Sequence, residues 1–312
     1  GRMQTGWVAL TASTSSNAKE YLEIGGEDST AKLSDYTDVY FCGDEDDGHA
    51  KKNKWMKTWL PDNTDEEEDD KEWFWFDKNG KLYKTSDSNA STATKYKFED
   101  GKLIIDKKSD GTPKTYEVAK KKVNSKDYWF RTDGVMVSKF YLIDDNMYYF
   151  GGADDGSMKT GSQSIKDNAG DTYKFYFYTK DLSSEYESND KLPLHKGAGV
   201  IGNQGNKLYY YGMLIQADDY KYQLATIAKD GVDYSFIVNS NGTIQHSKST
   251  EYKEDGDVLI ATGIKNASGK ATETKFVENG QFKYAISNEA NNWDTVSKNV
   301  ADIDMSGFVQ GK

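Results

Sequence analysis

The apolar positions of this chain fall in short alternating runs of aromatic and β-branched residues, each closed by a polar turn that holds a glycine. The pattern is shared by "WFWFDKNGKLYKT" from Trp73, "YKFEDGKLIID" from Tyr96, "YWFRTDGVMVSKF" from Tyr128, "MYYFGGADDGSMKTG" from Met147 and "YSFIVNSNGTIQHSK" from Tyr234. "VYFCGDEDDGHAKKN" from Val39 follows it more loosely. In every copy the second residue after the turn glycine is apolar: Ala50, Leu82, Leu103, Met136, Met158 and Ile244. Such runs suit a pleated surface, and Asn-Gly or Asp-Gly supplies the positive φ that a hairpin turn or a bulge needs. The pattern predicts β-hairpins turning near Gly80, Gly101, Gly134, Gly156 and Gly242.

The turn glycines recur at alternating intervals: Gly48 to Gly80 is 32 residues, Gly80 to Gly101 is 21, Gly101 to Gly134 is 33 and Gly134 to Gly156 is 22. One hairpin cannot bury its own apolar face, so units repeated at this period are expected to stack on one another. The expected fold is all-β, an elongated solenoid of stacked hairpin repeats over residues 1–195. Residues 196–312 are expected to form diverged repeats or a capping β subdomain. There "KLYYYGMLIQ" and "YKYQLATIA" read as longer strands, and Gly242 to Gly280 widens to 38. "DLSSEYESNDKLPLHK" at 181–196, with Pro193, reads as a long loop or linker. The thin helical signal is "SSNAKEYLEI" near Ser15, enough for a short turn or two.

The opening "GRMQTGW" and the recurrence of "GSMKTG" at Gly156, with aromatic triplets such as Tyr148-Tyr149-Phe150, resemble the cell-wall-binding (choline-binding-type, glucan-binding-like) repeats of Gram-positive surface proteins. The family pattern is Gly-Trp, a polar turn, Trp-Tyr-Tyr, a second turn and Gly-x-Met-x-x-Gly. It is matched clearly at 1–7, 73–85, 128–140 and 147–161, more loosely at 39–53 and 234–248. The resemblance implies that rings between successive hairpins form cages for a choline headgroup or platforms for a sugar. A ring face attracts a desolvated quaternary ammonium by about 0.5–2 kcal/mol per contact. The candidate ligand-binding residues are Trp7, Trp73, Trp75, Tyr128, Trp129, Tyr148 and Tyr149. The chain departs from the family where Gly-Trp is replaced by Lys139-Phe140 and by Gly161-Ser162, so most such cages lack a wall. The alternative for each ring is packing between hairpins. By strand alternation Trp73 and Trp75 share one face while Phe74 and Phe76 take the other.

Hydrophobic residues make up 36% of the 312 positions and charged ones 29%, while aromatic content reaches 13% with 22 Tyr. Burial by rings and not by Leu and Ile, with much polar surface, fits a thin solenoid better than disorder. The net charge of -11 argues against a nucleic-acid partner, because phosphate is held by clustered Lys and Arg, and none is expected. Neutral glycan, a cationic headgroup or a protein partner remain. No run approaches the roughly 18 apolar residues of a membrane span, so no membrane insertion is expected. Because Gly1 begins inside the tail of a repeat, the chain reads as a fragment whose signal peptide lay upstream, placing it as secreted and cell-wall associated. Cys42, the single cysteine, allows no internal disulfide.

The acidic stretch "DNTDEEEDDKE" at 62–72 reads as a solvated loop; a calcium site is the sharper alternative, but the spacing lacks the Gly and terminal Glu of an EF-hand. His49, His195 and His246 lie far apart without metal spacing, and 51 acidic residues offer no pair that sequence singles out for glycoside hydrolysis. No cofactor and no metal are expected. The reading is a non-catalytic surface module that binds cell-wall or other extracellular glycan. Its alternative is an architectural spacer or adhesin with a protein partner, and a glycosidase is a distant third.

Overall fold

A computed structural model of the protein describes residues 3–12, 19–25, 32–43, 47–62, 70–181, 195–229, 232–245, 251–261, 277–278, 281–282 and 302–312. These residues are nearly all β, as the hydrophobic pattern predicts. No α-helix occurs among them, and the 3-10 turns Leu33–Asp35, Asp87–Asn89 and Met305–Gly307 are each three residues long. The helical turn considered near Ser15 is corrected where it can be seen. Lys19–Ile24 is a strand paired antiparallel with Trp7–Ala12, from Trp7↔Ile24 to Ala12↔Lys19, and residues 13–18 lie outside the described set. A six-rung ladder outweighs the weak helical preference of "KEYLEI".

Two kinds of turn carry most of the hairpins. The first is a two-residue connection with positive φ at both positions, at Asp100-Gly101, Asn124-Ser125, Gly205-Asn206 and Asp255-Gly256. That backbone twist matches the right-handed twist of paired strands. The second is a five-residue turn at 77–81, 108–112, 131–135, 167–171 and 239–243. In each, the first N–H donates to the fifth carbonyl, and a glycine N–H in fourth place donates back to the first carbonyl. Those glycines have φ between 71° and 94°. Asp77, Asp167 and Asn239 reinforce their turns by accepting two backbone N–H groups on one side-chain oxygen. The five-residue turn explains the apolar position after the glycine. It returns Leu82, Met136 and Ile244 opposite Phe76, Phe130 and Val238, and all six side chains are buried.

The described residues divide into two units, interleaved along the chain. The first comprises 1–95, 107–144 and 149–158. It holds the sheet Lys19–Ile24, Trp7–Ala12, Asp38–Phe41, the ribbon Lys54–Thr58 with Glu72–Phe76, and the hairpin Thr115–Val123 with Lys126–Arg131. The second comprises 96–106, 145–148 and 159–312. It holds a seven-stranded sheet running from Gly161–Lys166 through Thr172–Phe177, Met213–Leu214, Lys207–Tyr210 and Gly202–Gln204 to Val277–Glu278 and Gln281–Phe282. Tyr222–Lys229, Val232–Asn239 and Ile244–Gln245 make a further sheet. The C-terminal residues are held inside this second unit, where Val309 bridges Leu103 and the Gln310 carbonyl accepts from the Tyr96 hydroxyl at 2.9 Å.

Candidate functional site

The strand Glu72–Phe76 sorts the aromatic residues of the first unit into two sets, with the alternation expected of it. Phe74 and Phe76 face a core of Trp7, Ile24, Leu33, Val39 and Leu82. Trp73 and Trp75 face a second cluster with Trp55, Tyr83, Tyr128, Phe130 and Met136. Opposite Trp75 on the neighbouring strand stands Trp55, whose ring centroid lies 5.3 Å from Trp75, 4.8 Å from Tyr128 and 5.7 Å from Phe130. Three of the seven rings proposed from sequence, Trp73, Trp75 and Tyr128, are therefore brought together, and Trp55 stands at their centre.

The other four lie elsewhere. Trp7 is 5% exposed, 4.9 Å from Phe74 and 5.1 Å from Phe41, and its indole N–H donates to the Trp59 carbonyl at 2.8 Å. Trp129 points to the opposite side of its strand from Tyr128 and Phe130 and is half-buried, 6.3 Å from Phe150. Tyr149, also half-buried, lies 4.6 Å from Phe140. Tyr148 is buried and belongs to the second unit. Trp75 and Tyr128 are each 8% exposed, so Trp73, Trp129 and Tyr149 are the candidates with ring surface open to solvent. Burial, then the charge of Asp155, pushes the hydroxyls of Tyr128 and Tyr149 above the usual phenol range. Both therefore stay neutral donors at physiological pH. Trp73 is oriented from outside the cluster: its indole N–H donates to Asp154 Oδ1 at 2.9 Å, and Lys57 Nζ meets the same oxygen at 2.9 Å. The Trp73 N–H and then Lys57 hold the Asp154 carboxyl below its usual range.

The family-type motif has a consistent backbone role. Gly6, Lys139 and Gly161 take φ of 62°, 66° and 70°. Gly6 N–H donates to the Gly43 carbonyl and Cys42 N–H to that of Gly6; Lys139 and Gly151 with Phe150 repeat the pair of bonds. The aromatic residue after each, Trp7 or Phe140, is buried. Gly48 and Gly156 lie against a methionine in both copies: an added Cβ would come 2.6 Å from Met3 Sδ and 2.1 Å from Met136 Sδ.

Several ring faces of this unit already carry an internal cation. Lys71 Nζ lies 4.2 Å from the Trp59 centroid, Lys121 Nζ 4.9 Å from that of Tyr83, and the Arg131 guanidinium 4.1 Å from that of Tyr116. Tyr83 also lines an open groove of about 760 Å³, whose other walls come from residues 34–37, 77, 81–86 and 132. Sequence reasoning missed Trp55, Tyr83 and this groove. Trp55 had a signal in the alternation of "KWMKTW" before the acidic stretch; the groove had none, because its hydroxyl residues are ordinary loop residues. Of the acidic stretch, residues 63–69 lie outside the described set, as does His246. His49 bonds the Asp47 carboxylate at 2.8 Å, and His195 lies 3.9 Å from Asp181.

No protein-family model matches the chain, and no curated protein matches it. Among solved structures, choline-binding protein F from Streptococcus pneumoniae, crystallised with a peptidoglycan analogue, is 16% identical. That comparison covers 86% of this chain and 99% of the other, at a TM-score of 0.26. The Cpl-1 endolysin, complexed with a peptidoglycan analogue, is 17% identical over 76% of this chain and 45% of its own, with a TM-score of 0.25. Alternansucrase in complex with isomaltononaose is 17% identical over 70% of this chain and 14% of its own, with a TM-score of 0.26. At these TM-scores the superpositions establish no shared fold.

Proposed function

We propose that this protein is a non-catalytic surface module, secreted and associated with the cell wall, that binds cell-wall or other extracellular glycan through aromatic residues of its hairpin repeats. The finer architecture belongs to the same reading: hairpins stacked as a solenoid, with residues 196–312 as its diverged, longer-stranded end. The observation that carries it is the set of partly exposed rings at Trp73, Trp129 and Tyr149, in a chain where the backbone bonds at Gly6 recur at Lys139 and the positive φ recurs at Gly161. A pyranose has an apolar C–H face that packs on such rings and a hydroxyl rim that needs polar neighbours. The non-catalytic part is supported by how the acidic residues are spent. Asp77, Asp133, Asp155 and Asp167 each accept backbone N–H groups of their own turns, which is structural work.

The second reading, an architectural spacer or adhesin with a protein partner, is favoured by the burial of Trp7, Trp75, Tyr128 and Tyr148. Retention of the purified protein on Gram-positive cell walls separates the two. Retention without release of soluble sugar supports the glycan module, no retention supports the spacer, and peptidoglycan turnover lost on replacing one carboxylate overturns the non-catalytic assignment.

A further inference from the structure

Beside the aromatic cluster, the geometry points to a saccharide subsite for uncharged pyranose units in the groove lined by Tyr36, Tyr83, Ser34, Thr37, Ser86 and Thr132. None of these residues is among the rings that the repeat pattern singles out. The volume of about 760 Å³ lies within the range of about 300–1,000 Å³ that small-ligand sites occupy. What sets the ligand class is the state of the charges along the walls. Lys84 Nζ donates to the carbonyls of Leu33 at 2.7 Å, Ser34 at 3.3 Å and Tyr36, pinning the 33–36 turn as one wall. Lys81 is paired with Asp38 at 2.5 Å. Asp77 accepts from the N–H groups of Asn79 and Lys81, and Asp35 from the N–H of Lys32 and the hydroxyl of Ser34.

Each of these four charged walls is thus committed within the chain, and two of each sign cancel. A charged ligand would compete with these internal partners, whereas the hydroxyls of Tyr36, Tyr83, Thr37 and Thr132, unlike those of Ser34 and Ser86, can donate to and accept from a sugar without breaking an internal bond among the described residues. A quaternary ammonium fares worse still. Lys121 sits by the Tyr83 ring, where a ligand cation would need the ring's negative face, and like charge repels it. The groove therefore selects neutral glycan over choline-type headgroups.

This inference rests on the glycan-binding reading and names its site and ligand class. The test titrates the full chain with maltotriose, isomaltotriose and chitotriose, followed by saturation-transfer NMR, with choline chloride as competitor and with Thr37→Arg as the variant. Thr37 is exposed, so filling the groove there leaves the core intact. The expected result is binding of at least one trisaccharide, unaffected by choline and weakened about tenfold or more in Thr37→Arg, whose melting temperature is unchanged. Binding that Thr37→Arg leaves intact, or that choline displaces, overturns the groove assignment. Wall retention without binding of any of the three sugars overturns the groove but not the glycan reading. Absence of both overturns the two together.

Discussion

Two stretches of the first unit, residues 3–7 with 42–43 and 47–48, and residues 136–140 with 150–156, share a pair of backbone hydrogen bonds and differ in side chains. Gly6 corresponds to Lys139, Trp7 to Phe140, Cys42 to Phe150 and Met3 to Met136, while Gly43, Asp47 and Gly48 recur as Gly151, Asp155 and Gly156. What persists is the positive φ of one residue, the burial of the ring after it, and a glycine against a methionine sulfur. The identity of the ring does not persist. Trp and Phe are buried alike at this position, as expected where a ring packs between strands.

If that is right, cutting either ring costs the same. Trp7→Ala and Phe140→Ala should each lose about 3–5 kcal/mol in denaturant unfolding, because both empty a closed aromatic site. A cost for one and not for the other would break the equivalence. Next in size is Gly156→Ala. A methyl there combines a disfavoured positive φ with a clash on buried Met136, about 2–4 kcal/mol together, whereas Gly161→Ala, whose nearest neighbour is Thr179 Cγ2 at 3.7 Å, should cost about 1–2 kcal/mol from the backbone alone. Smaller and opposite in sign is Lys139→Gly, which relieves a non-glycine residue held at φ 66° and should stabilise by about 0.5 kcal/mol once the added freedom of the unfolded chain is counted.

The smallest expected effect separates the two turns by pH. Hydrogen bonds from Lys51 and then His49 lower the Asp47 carboxyl from 3.8 to about 2. A carboxyl depressed on folding supports the turn above its unfolded value and loses that support as pH falls. The 47–49 turn should therefore loosen between pH 3.8 and about 2. An Asp47 carboxyl resonance titrating near 3.8 would remove that role.

Much of this was legible in the sequence, for a local reason. Asp-Gly and Asn-Gly turns are set by the backbone of two or three residues, so Gly80, Gly101, Gly134 and Gly242 could be placed as turns, and strand alternation put Trp73 and Trp75 on one side of the strand. The hairpin expected near Gly156 does not form, because Asn146–Tyr149 pairs with Phe140–Ile143 and Gly161–Lys166 with Thr172–Phe177. What depends on pairing at a distance was not legible. Trp55 meets Trp75 across the acidic stretch, and it has no turn glycine to announce it. The groove draws residues from 34–37, 81–86 and 132, and nothing in the order of the chain brings them together. Lys139 hid a glycine-type conformation behind a charged side chain.

The most direct measurement is retention on purified Gram-positive cell walls of the intact chain beside Trp7→Phe, which puts at position 7 the residue found in the Phe140 copy. Both proteins should be retained, with equal amounts bound and no release by choline. Loss of retention in a folded Trp7→Phe, or no retention of either protein, would contradict the account.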